Sequence, residues 1–126
     1  MDDLIVRPAV PEDLGYIIDS WLRTMRVDYG AMDDDHYWTW MKPKIKRILV
    51  NADTHVCVTC SSDDPSTIIG WVATTDNKFV YWGVVRSTFR KMGLVKQMTA
   101  GMNIQGIMMG LGHTKLAWRP DLVDGA

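Results

Sequence analysis

The stretch that most restricts the fold is Phe79-Val80-Tyr81-Trp82-Gly83-Val84-Val85, an uncharged apolar run. It is followed at once by Arg86-Ser87-Thr88-Phe89-Arg90-Lys91-Met92-Gly93-Leu94-Val95. This reads as a buried strand, a short connection, and a basic, glycine-containing turn that opens a helix. A strand that feeds a helix, which then feeds another strand, forms a crossover, and a crossover makes the two strands parallel. The turn also gathers backbone N–H groups and positive charge at a helix start, where phosphates and other anions bind. The segment therefore constrains the topology and carries the most direct ligand signal in the chain.

The other elements fall in around it. Leu4-Ile5-Val6, closed by Pro8, reads as strand 1. Pro11-Glu12-Asp13 has the proline and the acids that suit a first helical turn. Leu14, Ile17, Ile18, Trp21, Leu22 and Met25 then recur at helical spacing. Arg26 to Asp35 reads as a loop, with one of Asp33-Asp34-Asp35 expected to cap helix 2. The stripe of that helix is Tyr37, Met41, Ile45, Ile48 and Leu49, and Pro43 inside it predicts a kink or a restart. Lys42, Lys44, Lys46 and Arg47 make a solvated basic side. Strand 2 is expected over His55–Cys60 and strand 3 over Thr67–Thr75. Asp76-Asn77 forms a hairpin turn into strand 4, Phe79–Arg86. Helix 3 is expected from Gly93 to Met109, ended by Gly110-Leu111-Gly112. Met92, Met98, Met102, Met108 and Met109 are read mainly as its core side. Strand 5 is expected over Thr114–Trp118, stopped by Pro120.

The expected class is α/β, in the order β-α-α-β-β-β-α-β. Its mixed sheet is mostly antiparallel, with strands 2, 3 and 4 as a meander and strands 4 and 5 parallel. At 126 residues the length prior gives one domain, residues 1–126, with roughly two-thirds of the unfolded surface buried. A net charge of −1 lacks the electrostatic footprint of a nucleic-acid binder. No apolar run is long enough to span a bilayer. An acidic Met1-Asp2-Asp3 start and only two cysteines give the expectation of a cytoplasmic protein with reduced thiols. Six Trp and nine Met exceed what a core of this size needs, and several are expected to line a cleft or a partner surface.

This order, with this turn after strand 4, resembles the GNAT superfamily of acyl-CoA N-acyltransferases. Ile5-Val6-Arg7-Pro8-Ala9-Val10-Pro11-Glu12-Asp13-Leu14 looks like the common opening of those chains. Arg90-Lys91-Met92-Gly93-Leu94-Val95 is similar to the family pattern of Arg or Gln, two variable residues, Gly, one variable residue, then Gly or Ala. The resemblance runs from residue 4 to about 119 and implies acetyl-CoA or CoA as ligand and an amine as acetyl acceptor. It implies that Gly83, Val84 and Val85 offer their backbone to the pantetheine arm. Amides of Met92, Gly93, Leu94 and Val95 would face the pyrophosphate, with Arg90, Lys91 and Lys96 adding positive charge. Val95 departs from the pattern, and its branched side chain predicts crowding of the pyrophosphate. Family members also continue into a fourth helix and a last pair of strands, which often supply a Tyr that protonates the leaving thiolate. After Pro120 the sequence leaves no room for these elements. Strand 5 is then expected to keep an open edge near Trp118, to be covered by a second copy or a partner protein.

Several residue groups keep two readings. Tyr81 and His113 are the candidates for proton transfer, since no Glu lies near strand 4; Tyr81 also fits as a sheet-packing residue and His113 as a helix-end residue. Asp28, Asp33, Asp34, Asp35 and His36 suit a loop that attracts an amine, and equally an ordinary polar loop with a helix cap. Cys57-Val58-Thr59-Cys60 matches a Cys-x-x-Cys pattern, but strand residues three apart face opposite sides, so neither a metal site nor a disulfide is read there. Two functions follow. One is an N-acetyltransferase using acetyl-CoA. The other is a catalytically silent binding protein of this fold that modulates another enzyme, as small phage-encoded proteins do in a host cytoplasm.

Overall fold

The computed structural model describes residues 3–26, 33–75, 78–109 and 113–115, from residue 107 on as backbone. The elements are β1 (Leu4–Pro8), α1 (Leu14–Met25), α2 (Asp34–Val50), β2 (Thr54–Ser61), β3 (Ile68–Thr75), β4 (Phe79–Val85), α3 (Leu94–Met98), β5 (Gly106–Met109) and β6 (His113–Lys115). Short 3-10 turns precede α1 and follow β4. The six strands form one sheet in the order β1-β2-β3-β4-β5-β6. β1 to β4 are antiparallel, β4 and β5 parallel, and β5 and β6 antiparallel.

Helices cover both faces of this mixed sheet. On one face α1 and α2 bury Ile17, Trp21, Leu22, Met25, Tyr37, Met41 and Ile45 against Val58, Trp71, Ala73 and Val84. On the other, Leu94, Val95 and Met98 of α3 pack on Ile69, Val72, Val80 and Val85. β2 obeys the alternation its sequence dictates: Val58 faces α1 and α2, while Cys57 lies toward α3. Cys57 and Cys60 are both free thiols, and burial alone raises the pKa of Cys57.

The two ends of α1 are anchored differently. Asp13, nearly buried, accepts two hydrogen bonds from Arg7 at 2.7 and 3.1 Å and one from the Val10 amide at 2.8 Å. Arg7 also donates to the Pro65 carbonyl at 2.8 Å, so one guanidinium ties β1, the start of α1 and the β2–β3 connection together. Further along, Ser20 and Thr24 lie four apart on the sheet-facing side of α1. Each hydroxyl donates to the carbonyl four residues back and accepts an indole N–H, Ser20 from Trp71 and Thr24 from Trp82, both at 2.8 Å.

Three expectations are corrected. α2 continues through Pro43 without a restart; buried Tyr37 and Met41 before the proline and Ile45 after it hold both halves on the same core. α3 stops at Met98 rather than Met109. The Thr99 hydroxyl bonds back to the Val95 carbonyl at 2.8 Å, and Gly101 follows with φ +83°, a left-handed geometry that ends a helix. The chain then returns to the sheet, and the Gln105 amide donates to the Lys78 carbonyl at 2.6 Å. As a result the parallel neighbour of β4 is Gly106–Met109, not Thr114–Trp118, and β6 covers its far side. The strand expected at Thr114–Trp118 is β6, over His113–Lys115, and it stands at the end of the described sheet. Asp28, Asp76-Asn77, Gly110-Leu111-Gly112 and Trp118 lie outside the described residues.

Candidate functional site

The site expected from the sequence lies along β4, and two irregularities shape it. The first is a bulge. Ala73 pairs with Trp82 and Thr74 with Val80, so Tyr81 is an extra residue without a partner on β3. A bulge breaks the alternation of side chains. Val80 packs toward α3, whereas Tyr81 and Trp82 both pack toward α1 and α2. The Tyr81 ring lies 6.5 Å from Trp21, which in turn lies 5.4 Å from Trp71.

The second irregularity is the short pairing with β5. Only Phe79 and Val80 pair with it, opposite Gly106 and Ile107. From Tyr81 to Val85, β4 has no strand on its second edge among the described residues. The direction of each peptide group there follows from the pairing with β3. The Arg86 amide donates to the Ile69 carbonyl at 2.9 Å. Hydrogen-bonded pairs in an antiparallel ladder recur every second residue, so Val84 and Trp82 also turn their N–H and C=O toward β3. Gly83 and Val85 turn theirs to the open edge. The Val85 carbonyl accepts from Arg90 Nε at 3.0 Å, which leaves the Gly83 amide and carbonyl and the Val85 amide facing outward. Of the three residues expected to offer backbone, Gly83 and Val85 turn theirs to the open edge, and Val84 turns its own toward β3.

The turn beyond β4 is tightly wound. Lys91 takes a left-handed φ of 64° and Gly93 one of 76°. A Cβ on Gly93 would meet nothing within 4 Å, so the backbone conformation, not a close contact, requires glycine here. Arg90, Lys91, Met92 and Lys96 are exposed. Leu94 is buried and Val95 is fully buried in the core beneath α3. The Val95 branch lies in the core between α3 and the sheet, not on the outer side of the turn.

The remaining candidates separate. Asp33 is the N-cap of α2: its side chain accepts from the His36 amide at 2.9 Å and lies 2.5 Å from His36 Nδ1. Its pKa is lowered, first by the His36 amide. Asp34 is paired with Arg26 at 3.0 Å. Capping and pairing thus engage Asp33 and Asp34, and of the three only the Asp35 carboxylate has no ion-pair or hydrogen-bond partner among the described residues. The Tyr81 hydroxyl also has no hydrogen-bond partner among them. His113 belongs to β6, opposite Met109, two residues past the last β5 pairing with β4. Sequence reasoning passed over Arg86, whose Nε donates to the Ile68 carbonyl at 2.6 Å and whose guanidinium covers the Tyr16 ring at 5.2 Å. It also passed over the Ser20 and Thr24 hydroxyls that hold the indoles beside the bulge; two hydroxyl residues four apart on the apolar stripe of α1 were the available signal.

Solved structures share this fold. A possible acetyltransferase from Clostridium difficile 630 superposes with a TM-score of 0.55 at 15% identity, over 82% of this chain and 76% of that one. An acetyltransferase of the GNAT family from Staphylococcus aureus Mu50 superposes with a TM-score of 0.54 at 13% identity, over 83% and 72%. The chain has a GNAT-like fold. No protein-family model matches the sequence, and no curated protein matches it. Within the GNAT-like fold, the half-open edge of β4 and the basic turn into α3 lie side by side in the chain. No helix among the described residues is long and apolar enough to cross a membrane.

Proposed function

We propose that the chain binds acetyl-CoA or CoA along the open edge of β4 and transfers acetyl to an amine. The observation that carries this reading is the outward-facing Gly83 amide and carbonyl and the Val85 amide, beside a turn with three exposed cations, Arg90, Lys91 and Lys96. An extended amide-bearing arm finds on that edge the donors and acceptor an added strand would find. Gly83 has no side chain to block the approach. Arg90 plays a second part, since its bond to the Val85 carbonyl joins the turn to the strand. The cations attract pyrophosphate, with energies reduced by solvent screening.

The bound thioester supplies an activated acetyl group. The chain's residues orient it, and an outward N–H of β4 polarises its carbonyl where negative charge develops. Positioning provides the larger part of the rate. The acceptor ammonium must lose a proton before it attacks, and the departing thiolate must gain one. Tyr81, at the bulge with a hydroxyl unengaged by the described residues, is the residue this proposal assigns to proton transfer.

Calorimetric titration of CoA and acetyl-CoA tests the reading. Saturable binding is expected, lost in Gly93→Trp and weakened severalfold in Lys96→Glu, which alters only an exposed side chain. Absence of heat at millimolar ligand overturns it.

A further inference from the structure

The opposite face of the sheet from the α3 turn carries a feature the transferase reading does not use. Between α1 and α2 lies a groove of about 400 Å³, lined by Gly15, Ile18, Asp19, Leu22, Trp38, Lys42 and Lys46. Trp38, Lys42 and Lys46 lie four apart along α2 and form a single line on it. Ile18 and Leu22 of α1 complete an apolar floor with the Trp38 ring, which is 38% exposed. Lys42 and Lys46, both exposed, also line the groove. Neither has a carboxylate partner among the described residues, and the one acid of the groove, Asp19, is held by Arg23 at 3.0 Å. The groove is thus an apolar trough with uncompensated positive charge.

Gly15 adds a second observation. Gly15 is the second residue of α1, and a Cβ there would meet nothing within 4 Å. No neighbour requires its smallness and its φ is not left-handed. Its effect is to leave one end of the trough open.

We propose that this groove docks an acidic amphipathic helix of another protein, its apolar face in the trough and its carboxylates at Lys42 and Lys46. Helix-in-groove recognition needs an apolar floor between two helices, and the unpaired lysines select the charge of the occupant. A nucleic acid matches less well, because the chain as a whole carries a net charge of −1 and the groove has only one aromatic ring for stacking.

The test is fluorescence polarisation of a fluorescein-labelled peptide with leucines on one helical face and glutamates on the other, titrated with the full chain at low salt. Saturable binding is expected. Lys42→Glu with Lys46→Glu should weaken it roughly tenfold, the sum of two surface ion-pair contacts. Gly15→Leu should weaken it comparably by filling the trough. That variant should melt no lower than the parent, since leucine is the better helix former and its Cβ meets open space, so its loss of binding cannot be put down to unfolding. Three results would each overturn the proposal: no saturable binding at millimolar peptide, binding unchanged in both variants, or an oligothymidylate of equal charge that competes as well as the unlabelled peptide.

Discussion

Replacing Asp13 by Asn tests how the N-terminal strand is tied to the helix that supports the β4 bulge. The Asp13 carboxylate is 4% exposed and accepts from Arg7 at 2.7 and 3.1 Å and from the Val10 amide at 2.8 Å. Asparagine keeps one acceptor oxygen and loses the charge, turning its other position into a donor that faces a guanidinium. One charge-assisted hydrogen bond is lost and another weakened, and a cation keeps no counter-charge, which together cost about 2–3 kcal/mol. With an unfolding entropy near 2.1 cal/mol/K per residue, the melting temperature should fall by roughly 8–11 °C. The pH dependence gives an independent check. Arg7, ahead of the amide of Val10, holds the Asp13 pKa below its ordinary value of 3.8. A folded pKa below the unfolded one gives stability that is complete above the unfolded pKa and lost as pH falls through the folded value. Arg7 stays charged throughout. The gap between the parent and Asp13→Asn should therefore be full at pH 7 and narrow steadily below about pH 4. Urea melts at a series of pH values measure both. A loss under about 0.5 kcal/mol at neutral pH, or curves that stay parallel into acid, would refute the reasoning.

Four further substitutions probe the framework around β4 and the turn. Thr24→Val leaves the Trp82 indole N–H without its acceptor at 2.8 Å and should cost about 1 kcal/mol by denaturant melt, a modest figure because this bond is near solvent. Gly93→Ala places a Cβ on a backbone with φ +76° and should cost about 1–2 kcal/mol, while Lys91→Gly, at φ 64°, should recover a comparable amount; paired thermal melts check the opposite signs. Gly70→Ala would bring a Cβ to 3.0 Å from the Val84 carbonyl oxygen and 3.2 Å from a Val85 methyl. It should cost about 1–3 kcal/mol and lower CoA affinity by shifting the strand segment that carries the open edge, read by melting and by titration.

How legible the molecule was in its sequence depended on whether the deciding interactions were local. α1 was plain because Leu14, Ile17, Trp21, Leu22 and Met25 repeat at one helical spacing, and the β2-β3-β4 meander because its strands are apolar and separated by turn residues. The cap at Asp33 was expected among the three acids, as it depends only on the amide of His36. α3 was misjudged because Leu94, Val95, Met98 and Met102 keep the helical repeat past the point where the helix stops. The Thr99 back-bond and Gly101 end it, and pairing of Gln105 with Lys78 takes the chain back to the sheet, a contact invisible along the sequence. The Tyr81 bulge was also invisible, since adjacent aromatics look the same in a regular strand. Of the site, the turn from Arg90 to Lys96 was readable from composition. That Gly83 and Val85, and not Val84, face the open edge required the register of β3 against β4.

Amide hydrogen exchange resolved by residue distinguishes CoA binding along β4 from binding elsewhere. Saturating CoA should slow exchange at the Gly83 and Val85 amides, which face the open edge. The Val84 amide, turned toward β3, should change little. Unchanged Gly83 and Val85 amides in the presence of bound CoA, or protection confined to other strands, would contradict binding along β4.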